Sequence, residues 1–159
     1  MEYSYQFTHA IVRKPAKSIN NGLRAVDIGK PNYDQMMLDH SDYVDGLISA
    51  GAQIIELSPL EKYPDAQFVE DTALCLPEGV ILMRPGAPSR LGEVEEIAPK
   101  LRDLFKKVYK IDEPGHVEGG DILVTGKEIL IGRSARTDKS GVSQLSEIIT
   151  SMGYVLREV

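Results

Sequence analysis

Residues 69–84 read VEDTALCLPEGVILMR, and residues 117–133 read VEGGDILVTGKEILIGR. The two stretches align almost letter by letter; the second is longer by one residue, the second glycine of Gly119-Gly120. Each has the pattern of a β-hairpin: a strand (TALCL or DILVT), a turn (PEG or GKE), and a second strand running to Arg84 or Arg133.

The flanks match too. After Arg84 comes the loop PGAPSR. Then LGEVEEIAPKLRDLFKK sets Val94, Ile97, Leu101, Leu104 and Val108 on one helical stripe. Pro99 is expected to kink that helix or end its first turns, because it lacks an N–H and crowds the preceding turn. After Arg133 comes SARTDKSG, then Val142, Leu145, Ile148, Ile149 and Met152 at helical spacing, with Gly153 at the C′ position. Short strands, VYKID and YVLREV, close the two stretches. The N-terminal third fits the same mould: HAIVRKP is a strand ending in Arg13. Tyr33, Met36, Met37, Val44, Leu47 and Ile48 mark a helix ended by Gly51, and QIIELS is the closing strand. The predicted class is α/β, with a hairpin–helix–strand unit written about three times. The units run over about residues 1–58, 65–112 and 113–159, with Arg13, Arg84 and Arg133 at equivalent strand ends.

Size and composition bound the function. A chain of 159 residues fits one domain. Its formal net charge of −6 speaks against a nucleic-acid or anionic-membrane partner. With one cysteine, neither an intrachain disulfide nor a cysteine zinc cluster can form. The opening MEYSYQFTHAIVRK lacks a signal-peptide core, and no stretch has the length of a membrane span, so a cytoplasmic location is expected.

Chemistry is expected where the repeats differ, in the loops and at strand entries. PDAQFVED gathers Asp65, Glu70 and Asp71 just before a strand, and the next unit holds Glu118 and Asp121 there. The loops after the hairpins carry Arg90 and Arg136. Carboxylates that converge without a counter-charge raise one another's pKa values, whereas a bound guanidinium relieves the conflict through paired hydrogen bonds. Arginines at one end and carboxylates at the other suit a zwitterion, with its carboxylate on Arg90 or Arg136 and its cationic head on Asp71 and Glu118. The alternative is that these are surface charges and caps, and residue chemistry alone leaves both open.

In this order and spacing, FVEDTAL, ILMRPGAPSR, VEGGDIL and LIGRSART resemble the dimethylarginine dimethylaminohydrolase family of the guanidine-modifying (pentein) superfamily. The resemblance runs from THAIVR to near the C-terminus. It implies a five-bladed α/β propeller of ββαβ units around a central active site, of which this chain would be a partial propeller of about three. Glu118 matches the acidic catalytic residue that binds the substrate guanidinium. Asp71 matches its second carboxylate, with Glu70 beside it in the motif, and Phe68 a pocket wall. Asp65, Arg90 and Arg136 match residues that hold the amino-acid end, and Leu23 a position on the flap over the site. The implied reaction is hydrolysis of an N-methylated arginine to citrulline and a methylamine, through a cysteine nucleophile and without metal or cofactor. The family's cysteine and histidine would fall beyond Val159. The chain therefore looks like an N-terminal part, inactive alone and expected to associate with itself or with a missing C-terminal segment. The rivals are another guanidine-modifying enzyme, an arginine deiminase or amidinotransferase, and a non-catalytic module that binds arginine-like ligands.

Cys75, inside TALCL, is expected to be a small buried hydrophobe rather than a nucleophile. His116 is expected to be a solvated turn residue, and His9 and His40 structural. The glycines of GHVEGGD are expected to let backbone approach the ligand closely.

Overall fold

The computed structural model describes residues 7–126 and 128–159, so Lys127 of the GKE turn and the first six residues lie outside the described residues. The chain divides into two compact units, one ending at Val69 and one running over Glu70–Val159.

In the first unit, β1 (His9–Arg13) pairs parallel with β2 (Gln53–Leu57), with His9 opposite Gln53 and Arg13 opposite Leu57. The crossover between them carries α1 (Tyr33–Ser49), which the Asn32 side chain caps by accepting the Gln35 N–H at 3.1 Å. The expected stripe is only partly realised: Tyr33, Met36, Met37, Val44 and Leu47 are half-buried, and Ile48 is exposed. No residue of α1 is fully buried. The small core of this unit is Val12, Ala16, Ala52 and Ala66, with Arg13 donating from Nη1 to the Ser58 carbonyl at 2.8 Å. Among its described residues this unit has a two-stranded sheet without the hairpin seen below.

In the second unit, β3 (Ala73–Leu76) and β4 (Gly79–Leu82) form the first predicted hairpin, and β5 (Val108–Lys110) adds parallel to β4. The second hairpin is β6 (Ile122–Val124) with β7 (Ile129–Ile131), and β8 (Leu156–Glu158) adds parallel to β7. Both sheets therefore have the same strand order and the same mixed pairing. Helix α2 (Glu93–Leu104) connects β4 to β5, and α3 (Lys139–Ser151) connects β7 to β8. Arg84 and Arg133 each follow their strand by two residues, and Arg84 forms an isolated antiparallel bridge with Val117.

The core of this unit joins Leu76, Ile81, Met83, Ile111, Val117, Ile129, Ile131, Val142, Leu145 and Ile149. A fully buried isoleucine or leucine contributes about 1.5–3 kcal/mol relative to exposure, so this cluster dominates the unit's stability. Strand β4 is buried along its whole length. Its Ile81 enters the cluster, while Val80 and Leu82 alternate to the other face. Helix α2 packs on β4 through buried Val94, Ile97, Ala98 and Leu101.

Three local expectations need correction. Pro99 sits inside α2 and does not end it: the helix starts at Glu93 and runs on to Leu104. Val108 leaves the helical stripe because the chain turns extended at Phe105, and it opens β5 instead. Leu104 is exposed at the helix end. On α3 the stripe holds, with Val142, Leu145 and Ile149 buried and Gly153 at φ +90° just past the helix. Among the described residues, no helix is long and apolar enough to cross a membrane.

Candidate active site

The site is built at the two strand entries of the second unit. A 3₁₀ turn, Val69–Thr72, carries Asp71 into β3, and another, Gly119–Asp121, follows Glu118 into β6. The Gly120 N–H donates to Asp71 Oδ1 at 3.1 Å, which ties the two turns together. Glycine is required by this contact: a Cβ at residue 119 would overlap the Glu70 carbonyl, and one at residue 120 would press on Asp71 Oδ1. The two glycines thus bring the second turn against Glu70 and Asp71. The expectation that they admit a ligand is replaced by this backbone contact.

Each carboxylate carries an arginine. Arg90 donates from Nη1 to Asp71 Oδ2 at 2.5 Å. Its Nε and Nη2 donate to Glu93, with the closest contact at 2.7 Å. Arg90 and Glu93 are both buried, at 3% and 2% exposure. Burial opposes the Arg90 charge, but the hydrogen bonds it donates to Glu93 and Asp71 outweigh it and hold the guanidinium above its ordinary pKa. Arg136 forms an ion pair with Glu118, Nε lying 3.0 Å from Oε2, and its own side chain is 53% exposed. The expected layout, arginines at one end and carboxylates at the other, is therefore not what forms. The reason is electrostatic: a carboxylate taken out of water needs a counter-charge, and these two meet the nearest guanidinium.

Glu118 is 1% exposed. Its Oε1 is buried and accepts no hydrogen bond from the described residues. Burial raises its pKa above the usual carboxylate value; Arg136 and Arg90 pull it down, and Asp71 and Asp121 push it further up. A buried carboxylate oxygen with two open lone pairs has the chemistry to accept N–H donors from a cation.

The remaining expected residues fall as follows. Glu70 is exposed, next to Asp71. In the unit ending at Val69, Asp65 is buried and both its oxygens accept the Leu23 N–H at 3.1 Å. The Leu23 and Phe68 side chains are exposed.

Two other expectations fail. Cys75 is exposed, because Leu74 and Leu76 pack towards the core and alternation turns the residue between them outward. Desolvation by the surrounding chain nevertheless pushes its thiol up to about 11. The open surface governs reagent access, and the raised pKa keeps the thiolate scarce. His116 is not a solvated turn residue. Its Nδ1 lies 2.9 Å from Asp138 Oδ2 and its Nε2 contacts Arg84 Nη1, so it links the α3 cap to the end of the first hairpin. Glu93, Ser134 and Thr137 went unnoticed in sequence. Arg90 and Glu93 stand at i,i+3, and Ser134 and Thr137 show the same spacing, which are the signals that could have found them.

Among known families, the model of the family described as arginine deiminase matches residues 48–159. The chain belongs to the arginine deiminase family. It is 40% identical to N(G),N(G)-dimethylarginine dimethylaminohydrolase of Pseudomonas aeruginosa, across 92% of this chain and 58% of that protein. It is 32% identical to the protein of that name from Streptomyces coelicolor, across 91% of this chain and 56% of that one. The solved dimethylarginine dimethylaminohydrolase from Pseudomonas aeruginosa, a cysteine-to-serine mutant complexed with citrulline, superposes with a TM-score of 0.95 at 39% identity. That match covers 98% of this chain and 61% of the solved one. The fold is thus the mixed α/β fold of the penteins, and the chain spans under two thirds of the length of these relatives.

Proposed function

We propose that this chain provides the guanidinium-holding part of a hydrolase that converts N-methylated arginine to citrulline and a methylamine. The observation that carries the reading is the buried Glu118 Oε1, which has no donor among the described residues and lies in a turn hydrogen-bonded to Asp71. Glu118 and Asp71 hold the substrate guanidinium charged and oriented, which keeps its carbon electrophilic. A cysteine thiolate attacks that carbon and expels the amine; water then cleaves the covalent intermediate and gives citrulline. Cys75, on β3 with a raised pKa, is not assigned this role. Arg136, half in solvent, is suited to reach the carboxylate of an amino-acid ligand. Arg90, bound on three nitrogens, serves by holding Asp71. Leu23, Asp65, Phe68 and Glu70 keep the ligand-side roles that the resemblance implies. No metal or organic cofactor enters this chemistry.

We read the fold as part of a propeller whose units are about residues 1–58, 65–112 and 113–159. The shared strand order of the two three-stranded sheets supports this. A cytoplasmic setting and association with itself or a further segment belong to the same reading.

The test is calorimetric titration of the chain with dimethylarginine and with citrulline, alongside Glu118→Gln. Binding by the parent and its loss in the variant support the reading; equal binding by both overturns it. The family's description as arginine deiminase makes unmethylated arginine the competing substrate. A panel of arginine, monomethylarginine and dimethylarginine decides between them.

A further inference from the structure

We infer that Asp121 is the positioning residue of the guanidinium clamp: its carboxylate gathers the Ser134 and Thr137 hydroxyls and thereby fixes the loop that presents Arg136 to Glu118. The inference deepens the functional reading above and rests on it for its meaning to a ligand.

Asp121 Oδ2 accepts from Ser134 Oγ at 2.7 Å and from Thr137 Oγ1 at 2.5 Å. Both hydroxyls then act as acceptors. Ser134 Oγ takes the Arg136 N–H at 3.0 Å and the Thr137 N–H at 3.2 Å. Thr137 Oγ1 takes the Glu118 N–H at 3.1 Å. Backbone N–H groups can only donate, so each hydroxyl points its single proton at Asp121 Oδ2, which accepts both. The direction of the whole network follows from that one acceptor. One carboxylate oxygen thereby organises the backbone on both sides of the Arg136–Glu118 pair.

The comparison between the two repeats shows why such an anchor is needed. Arg90 lies three residues before the start of α2, where Glu93 locks it, and Arg136 lies three residues before the start of α3, where the residue is Lys139. Lysine cannot hold a guanidinium. The restraint on Arg136 comes instead through its backbone. Asp121 stands where the preceding repeat has Thr72: the carbonyl of Thr72 accepts the Met83 N–H and that of Asp121 the Gly132 N–H, both after the second strand of a hairpin. The fold position is shared, and the carboxylate is particular to this repeat. Thr137 is 1% exposed, so its hydroxyl relies on partners within the protein.

The test reads Glu118 directly by carbon-detected NMR titration of its carboxyl group, without ligand. The charges around Glu118 are Arg136 and Arg90, which lower its pKa, and Asp71 and Asp121, which raise it. Asp121→Asn removes a negative charge but keeps an acceptor oxygen for the two hydroxyls, so the Glu118 titration moves down. Asp121→Ala removes the anchor as well and frees Arg136, the strongest of the charges that favour ionisation, so the titration moves up. Ser134→Ala keeps the Asp121 charge and cuts one tether, so it also moves the titration up. Opposite signs for Asn and Ala support the inference. A downward move in both, or no move in Ser134→Ala, overturns it; should Asp121→Ala fail to fold, Ser134→Ala decides alone. Dimethylarginine binding by the parent chain, measured in parallel, tests the functional reading separately, because the titrations need no ligand.

Discussion

Glu118→Gln should move ligand binding and stability in opposite directions. In the free protein Glu118 is a buried charge with one oxygen paired to Arg136 and the other without a donor among the described residues. An unmet buried acceptor costs about 1–3 kcal/mol, and the cost is larger when the group is charged. Glutamine removes the charge and leaves Arg136, which is 53% exposed, to solvent. The melting temperature is therefore expected to stay level or rise by a few degrees, at roughly 2–8 °C per kcal/mol for domains of this size range. Binding falls, because a hydrogen bond to a charged group is worth about 1.5–3 kcal/mol, or roughly ten- to hundredfold in affinity. The pH dependence follows from the same group. Burial raises the folded pKa of Glu118, so the folded state keeps this proton to higher pH than the unfolded chain does. Its contribution to stability therefore declines as pH rises from the ordinary glutamate value through the raised one. Guanidinium binding needs the ionised form, so it strengthens over that same interval. Calorimetric titration with dimethylarginine across pH, with melting curves of both proteins, checks all of this. A variant that binds as tightly as the parent, or that melts well below it, would refute the reasoning.

Gly119→Ala should destabilise the chain by about 1–3 kcal/mol, the usual range for overpacking, since its methyl group overlaps the Glu70 carbonyl; urea unfolding measures it, and an unchanged midpoint counts against the contact. Cys75 should react with a thiol reagent in the folded protein, faster as pH climbs toward about 11. Protection until unfolding would restore the reading of a buried cysteine. The chain should also self-associate, since Leu38, Tyr43 and Ile48 leave apolar surface exposed on α1; light scattering that shows a monomer at every concentration would refute this.

Much of the fold was legible because it is written twice. The alignment of residues 69–84 with 117–133 located both hairpins, and each helix between hairpin and closing strand announced itself by apolar spacing. Periodicity could not place Val108, whose spacing continues the helical stripe although the backbone has already become extended. Cys75 was misjudged because a short apolar strand does not reveal which of its faces is covered. At the site, the motifs identified Asp71, Arg90, Glu118 and Arg136 as residues that matter. They did not show which charge meets which. That depends on two turns from distant parts of the sequence meeting through Gly119 and Gly120, a contact that no local pattern encodes.

The pairing that does form assigns different parts to the two arginines. Arg90 has three nitrogens engaged by Glu93 and Asp71 and is almost wholly buried. Moving it would strand two carboxylates, at a cost of several kcal/mol. Asp71 is therefore held in one place, with Gly120 on its other oxygen. Arg136 meets Glu118 as an ion pair with half of its side chain in water, so leaving costs it little. On the proposed reading, a cationic ligand at Glu118 is accepted by Oε1, which leaves Arg136 free to turn away without leaving Glu118 unpaired. The released guanidinium is then solvated, and it gains a charged partner when the ligand brings a carboxylate. An amino acid with a guanidinium head satisfies both demands, whereas a simple guanidinium ion satisfies one. Dimethylarginine should therefore bind more tightly than dimethylguanidine, and Arg136→Ala should erase most of that difference while leaving dimethylguanidine binding nearly unchanged. Equal losses for the two ligands would show that Arg136 acts only through Glu118.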